Sequence, residues 1–196
     1  MALREPGVCR VDVAAGALVG ATNRYVKTLA DLDGVYEDEA AFAALRREAG
    51  DVPVYEVTDF KPSADAGDMI IGVTRMVPGR VGREFYVTRG HIHANPNRPE
   101  MYYGESGRGV MLLESPDGEV RTVEILPRTM CYVPPFWIHR SVNVGDEDLV
   151  MTFAYPADSG QDYDIIARAG GWTAVDNAAW RPRPREVVDA ILAKTA

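Results

Sequence analysis

Between Val54 and Tyr155 the chain is a succession of short β-type runs broken by turn residues, and this pattern limits the fold more than any other feature. Val54-Tyr55-Glu56-Val57, Met69-Ile70-Ile71-Gly72-Val73-Thr74 and Leu149-Val150-Met151-Thr152-Phe153-Ala154-Tyr155 carry the β-branched and aromatic residues that suit a pleated surface. A hairpin is predicted from Gly109 to Leu126, where Val110-Met111-Leu112-Leu113-Glu114 and Val120-Arg121-Thr122-Val123-Glu124-Ile125 flank the turn Ser115-Pro116-Asp117-Gly118. Many short strands at this spacing indicate an all-β sandwich or barrel. Because side chains alternate along a strand, Leu149, Met151, Phe153 and Tyr155 share one face, and Tyr155 is expected to point into a cavity.

Helical signals lie only outside this region. Glu39-Ala40-Ala41-Phe42-Ala43-Ala44-Leu45-Arg46-Arg47-Glu48 has an acid at its start, arginines in its last turn and Gly50 as a stop, so a helix is expected within residues 37–50. Near the other end, Val187, Val188, Ile191 and Leu192 form one stripe after Pro184, which suits a first turn and places a second helix within 184–195. There is no repeat of fixed period. A chain of 196 residues is compatible with a single domain, 1–196, with its β core at about 50–160.

Apolar residues make up 46% of the chain, yet no apolar run approaches the roughly 18 residues of a membrane span. The first residues lack an apolar stretch after their charges, so export is not expected. Two cysteines, Cys9 and Cys131, stand in no metal-like spacing and suggest no disulfide framework, which fits a reducing cytoplasm. The formal charge of -8 argues against a nucleic-acid partner. It leaves room for a small phosphate ester, which backbone N–H groups, hydroxyls and one or two local cations suffice to hold.

The chain has three histidines, and two of them form His91-Ile92-His93, a spacing that puts both imidazoles on one face of an extended segment. Glu100 follows after the turn-rich loop Ala94-Asn95-Pro96-Asn97-Arg98-Pro99, and His139 after the second proline turn, Pro134-Pro135. Three imidazoles and a carboxylate suit one first-row divalent ion with positions left open for substrate oxygen.

His91, His93, Glu100, Gly107, Pro134, His139 and Asn143 resemble the two cupin motifs, with a longer loop before Glu100 and with Arg128 and Phe136 where the second motif has glycines. The resemblance implies a double-stranded β-helix, a jelly-roll-like barrel. Thr88-Arg89-Gly90-His91-Ile92-His93, Glu100-Met101-Tyr102-Tyr103, Tyr132-Val133-Pro134-Pro135-Phe136-Trp137-Ile138-His139-Arg140 and Tyr155-Pro156-Ala157-Asp158-Ser159-Gly160-Gln161-Asp162-Tyr163 are similar to the cupin-type glucose-6-phosphate isomerases. That similarity spans roughly residues 50–172. It implies a divalent transition metal on His91, His93, Glu100 and His139, with Fe2+ expected ahead of Mn2+, Ni2+, Co2+ or Zn2+. It implies a sugar phosphate surrounded by Tyr55, Thr74, Thr88, Gly90, Tyr102, Tyr155, Gln161 and Tyr163. Gln161 stands where the family often has a histidine, and an amide hydrogen-bonds without titrating.

The implied reaction is the interconversion of glucose-6-phosphate and fructose-6-phosphate, with Glu100 and His91 at the chemistry and Glu100 as the shuttling base, or else by hydride shift. A homodimer follows from the resemblance. Other readings of the same ligands are an isomerase of another sugar phosphate, a cupin dioxygenase, or a sugar-binding cupin without turnover. The hydroxyl-rich wall favours a polyol phosphate over an apolar ring.

Overall fold

The computed structural model describes residues 5–115 and 119–163. Its order is β1 (Arg10–Asp12), β2 (Ala17–Val19), β3 (Asn23–Thr28), a 3-10 turn (Ala30–Leu32), α1 (Glu39–Ala49), β4 (Pro53–Phe60), β5 (Met69–Met76), β6 (Arg80–Val81) and β7 (Glu84–Phe85). Then follow β8 (Glu100–Ser106), β9 (Gly109–Glu114), β10 (Val120–Ile125), β11 (Met130–Val133), β12 (Ile138–Asn143) and β13 (Leu149–Pro156). Two antiparallel sheets carry the architecture, one of six strands ordered β11-β8-β13-β5-β4-β3 and one of three ordered β10-β9-β12.

The mostly-β cupin architecture forms, but the strands do not close into a continuous barrel. Residues 87–92 run beside β12 and pair with it only through isolated bridges, Val87 with Val142 and His91 with His139. Between those bridges the Ser141 N–H goes to the Thr88 hydroxyl oxygen at 2.9 Å instead of to a backbone carbonyl. Gly90 then turns the chain at φ 77, outside the range of a pleated strand. A side-chain acceptor and a left-handed step therefore replace the ladder that would have sealed this side.

The six-stranded sheet also reaches back beyond residue 50. Strand β3 pairs with β4 from Asn23 opposite Asp59 to Lys27 opposite Tyr55. Its sequence, Asn23-Arg24-Tyr25-Val26-Lys27-Thr28, holds no apolar run because it is an edge strand, where charged side chains discourage further pairing. Helix α1 fits its expected range: the Asp38 carboxylate accepts the Ala41 N–H at 2.8 Å, and Gly50 at φ 75 ends it. Phe42 is its buried residue and stacks on Tyr36 with ring centroids 5.7 Å apart. The predicted hairpin forms, with Val120 opposite Glu114. Pro116, Asp117, Gly118, Trp172, Trp180 and the expected 184–195 helix lie outside the described residues. Among the described residues no helix is long and apolar enough to cross a membrane.

Candidate active site

Alternation in β8 places the acidic residue. Glu100, Tyr102 and Gly104 are buried while Met101 and Tyr103 face the other way, so of the two tyrosines it is Tyr102 that shares the face of Glu100. On the segment opposite, Ile92 is buried in the hydrophobic core and leaves His91 and His93 on the other face. The His91 N–H donates to the His139 carbonyl at 3.1 Å, and the His139 N–H returns to the His91 carbonyl at 3.0 Å. This reciprocal pair fixes the two motif segments in register before any side chain is considered.

The imidazole orientations follow from backbone acceptors. His93 Nδ1–H donates to the Arg98 carbonyl at 2.8 Å and His139 Nδ1–H to the Trp137 carbonyl at 3.1 Å. A carbonyl only accepts, so each Nδ1 carries the proton and a neutral ring presents Nε2 as a lone pair. Those nitrogens lie 3.1 Å (His93), 2.9 Å (His139) and 3.7 Å (His91) from the same Glu100 oxygen. One ligand atom from each of the four residues falls within a 4.8 Å span, and all four residues are buried. Bonds of about 2.1 Å to one ion put adjacent ligand atoms about 3 Å apart, so the spacing fits a divalent cation.

Electrostatics supports the same fit. Burial, followed by the neighbouring His139, pushes the His91 pKa down to about 4, so this ring is neutral near physiological pH. Its Nε2 is buried and has no hydrogen-bond partner among the described residues. Burial opposes ionisation of Glu100, but the close polar contacts of the three imidazoles, that of His139 foremost, outweigh it and hold the carboxyl well below the usual range. A buried carboxylate facing converging nitrogen lone pairs is a poor arrangement without positive charge at its centre.

His91 and Glu100 also line a cavity of about 230 Å³. Every residue expected around the substrate, namely Tyr55, Thr74, Thr88, Gly90, Tyr102, Tyr155, Gln161 and Tyr163, lines that same cavity. The Tyr155 ring centroid lies 5.6 Å from that of His93 and the Tyr163 centroid 5.7 Å from that of His91. Tyr163 donates its hydroxyl to Gln161 Oε1 at 2.6 Å. Burial, reinforced by the Glu100 charge, raises the pKa of Tyr155, Tyr163 and Tyr102, so the wall consists of neutral O–H donors.

Sequence reasoning missed Asn23, Tyr25, Asp59, Lys61 and Ser141, which line the cavity too. Ser141 was accessible, since it shares the face of His139 two residues earlier. Asn23 and Tyr25 were not, because β3 carried no signal. Asn23 Nδ2 donates to Asp59 at 3.0 Å, tying that strand to β4 at the cavity rim.

The two glycine replacements in the second motif leave its turns in place. Arg128 at φ 70 and Phe136 at φ 73 are the non-glycine residues with left-handed backbone among the described residues. The Phe136 N–H donates to the Pro96 carbonyl at 2.7 Å, which joins the loop before His139 to the loop before Glu100.

Antiparallel sheets that bring three histidines and a glutamate together, with His91 and Glu100 lining the adjoining cavity, define a cupin with a metal-type centre. More narrowly, the chain belongs to the glucose-6-phosphate isomerase (GPI) family, whose model matches residues 26–186. A relative from Rhizobium meliloti (strain 1021) is 72% identical over 173 residues, covering 88% of this chain and 86% of its own. The glucose-6-phosphate isomerase of Sinorhizobium medicae (strain WSM419) is 56% identical over 201 residues, covering 96% and 94%. Among solved structures, a recombinant oxalate oxidase in complex with glycolate has a TM-score of 0.49 at 18% identity, over 71% of this chain and 66% of its own. The chain is thus an enzyme of the isomerase class.

Proposed function

We propose that this enzyme interconverts glucose-6-phosphate and fructose-6-phosphate in the cavity beside His91, His93, Glu100 and His139, which hold one divalent transition metal, Fe2+ ahead of Mn2+, Ni2+, Co2+ or Zn2+. The observation that carries the reading is the convergence of three Nε2 atoms on one buried carboxylate beside the cavity, in a chain of this family. A divalent ion bound there supplies Lewis acidity that favours negative charge on the sugar oxygens.

The residues divide the remaining work. Glu100 takes the proton from C2 as the C2–H electron pair forms a C1–C2 double bond and the carbonyl pair moves to O1; the O2 hydroxyl proton passes to O1, and Glu100 returns its proton to C1 as the C2–O2 bond becomes the ketone carbonyl. His91, beside Glu100 in the cavity wall, orients the reacting end. The hydroxyls of Tyr55, Thr74, Thr88, Tyr155 and Tyr163, with the Gly90 N–H, receive the phosphate and the polyol without adding net charge. Tyr102 and Gln161 complete the wall.

The same reading keeps the enzyme in the cytoplasm, where its free Cys9 and Cys131 remain reduced. It also pairs two copies, and the exposed Met130 and Tyr132 on edge strand β11 offer an apolar edge for that purpose. The test is a coupled assay on metal-stripped protein with each ion restored separately, alongside Glu100→Gln. Turnover should return with metal and fall by about 10²–10⁴ in the variant. Near-normal turnover in a metal-loaded Glu100→Gln protein removes the base role, and no exchange with any ion removes the isomerase reading.

A further inference from the structure

Arg140 is among the largest side chains fully withdrawn from solvent, at 1% exposure. It follows His139 on β12, so alternation points it away from the histidine cluster. Its guanidinium turns to the segment in front of His91: Nε donates to the Thr88 carbonyl at 3.2 Å and Nη2 to the Arg89 carbonyl at 2.9 Å. These carbonyls belong to consecutive peptide units, and the planar fork of arginine suits such a pair.

Peptide geometry gives the contact its consequence. The peptides here are trans, and in a trans unit the C=O and N–H point in opposite directions. The Thr88 carbonyl shares its unit with the Arg89 N–H, and the Arg89 carbonyl with the Gly90 N–H. Holding both carbonyls from behind therefore turns both N–H groups to the front. The Arg89 N–H meets the Tyr55 hydroxyl at 3.5 Å, a residue of the cavity wall, and Gly90 itself lines the cavity. Gly90 at φ 77 supplies the left-handed step that an anion-accepting concavity of successive N–H groups requires. Hydrogen bonds from a cation also polarise the carbonyls and strengthen the opposite N–H groups as donors.

We propose that Arg140 is a positioning residue for the substrate's phosphate: from behind the cavity wall it aims the Arg89 and Gly90 N–H groups and passes positive charge through their peptides. The proposal rests on the sugar-phosphate reading of the cavity. It separates binding from chemistry, because Arg140 acts on the phosphate end while His139 serves the reacting end.

The experiment compares Arg140→Met and Arg140→Lys with wild type in the metal-loaded full chain. It measures KM and kcat for glucose-6-phosphate, the dissociation constant of inorganic phosphate by calorimetry, and metal content. Arg140→Met should raise both KM and the phosphate constant by about tenfold with kcat and metal content nearly unchanged. Arg140→Lys keeps a charge but cannot span two carbonyls, and should raise both by about threefold. A folded variant of either kind with both constants at wild-type values overturns the proposal, as does a loss confined to kcat. Should neither variant fold, wild-type NMR decides: added phosphate should shift the Arg89 and Gly90 amides together with Arg140 Nε–H, and an unmoved Arg140 signal overturns the coupling. A wild-type chain that binds phosphate without turning over glucose-6-phosphate defeats the isomerase reading and leaves the phosphate titration valid.

Discussion

Replacing Arg128 with glycine isolates the cost of a left-handed backbone from everything else at that position. Arg128 holds φ 70 with an exposed side chain, and its N–H donates to the Gly104 carbonyl at 2.8 Å, a bond that any residue except proline keeps. For an L-residue the left-handed region costs roughly 1–2 kcal/mol, because Cβ crowds the following carbonyl. Glycine removes the crowding but adds freedom to the unfolded chain, worth about 0.4–1 kcal/mol against the fold. The balance makes Arg128→Gly about 0.5–1 kcal/mol more stable than wild type, and in a chain of this size the melting temperature rises by about 1–4 °C. Arg128→Ala is the control, since it loses the same side chain and keeps Cβ, and it should stay within about 0.5 kcal/mol of wild type. Calorimetric melting of the three proteins at one protein and metal concentration reads the order directly. If the glycine and alanine variants melt together, the left-handed backbone stores no recoverable strain and the reasoning fails. Phe136→Gly should gain less, because its half-buried ring is lost along with the strain.

Glu84 is buried, and burial raises its pKa even though it accepts the Glu37 and Asp38 N–H groups at 2.9 and 3.1 Å. A raised acid favours the fold at low pH, and that contribution is lost as pH rises through the folded value. Glu84→Gln should therefore be more stable than wild type near pH 7, and the gap should close toward about pH 4; a gap independent of pH contradicts this. Arg98 forks onto Asp158 at 2.8 and 2.6 Å while its carbonyl orients His93. Arg98→Ala should weaken metal retention by about tenfold in a chelator competition, with the circular dichroism unchanged. Tyr163→Phe releases Gln161 from its 2.6 Å hydrogen bond. It should raise KM for glucose-6-phosphate by about three- to tenfold in steady-state kinetics, and an unchanged KM removes the pair from the binding wall.

What the sequence made legible was whatever alternation alone decides. His91 and His93 flank a core isoleucine, Glu100 and Tyr102 share a buried face, and Tyr155 faces the cavity, all by a period of two. What it hid depended on partners distant in the chain. Strand β3 is an edge whose polar residues give no burial signal, so Asn23 and Tyr25 went unseen. The open side of the barrel comes from the Thr88 hydroxyl taking a ladder N–H beside a left-handed Gly90, a choice that no local propensity encodes. Arg140 is the sharpest case, since a charged residue pointing away from the site reads as solvent-facing until the carbonyls behind which it sits are known.

The unusual length of the loop before Glu100 has a physical resolution in the same terms. Between His93 and Glu100 the chain is attached at three points outside the loop: Asn95 N–H to the Ser159 carbonyl at 2.8 Å, Phe136 N–H to the Pro96 carbonyl at 2.7 Å, and the Arg98 fork on Asp158. Each attachment removes freedom that a longer loop would otherwise spend against a fixed site, and the closure cost of extra residues grows only slowly with length. The reciprocal His91–His139 backbone pair sets the spacing of the two segments independently of that loop. The positions of the His91, His93, Glu100 and His139 side chains are therefore determined by backbone bonds around them. Variation in loop length or turn glycines can then accumulate while three Nε2 atoms and one carboxylate keep a common focus.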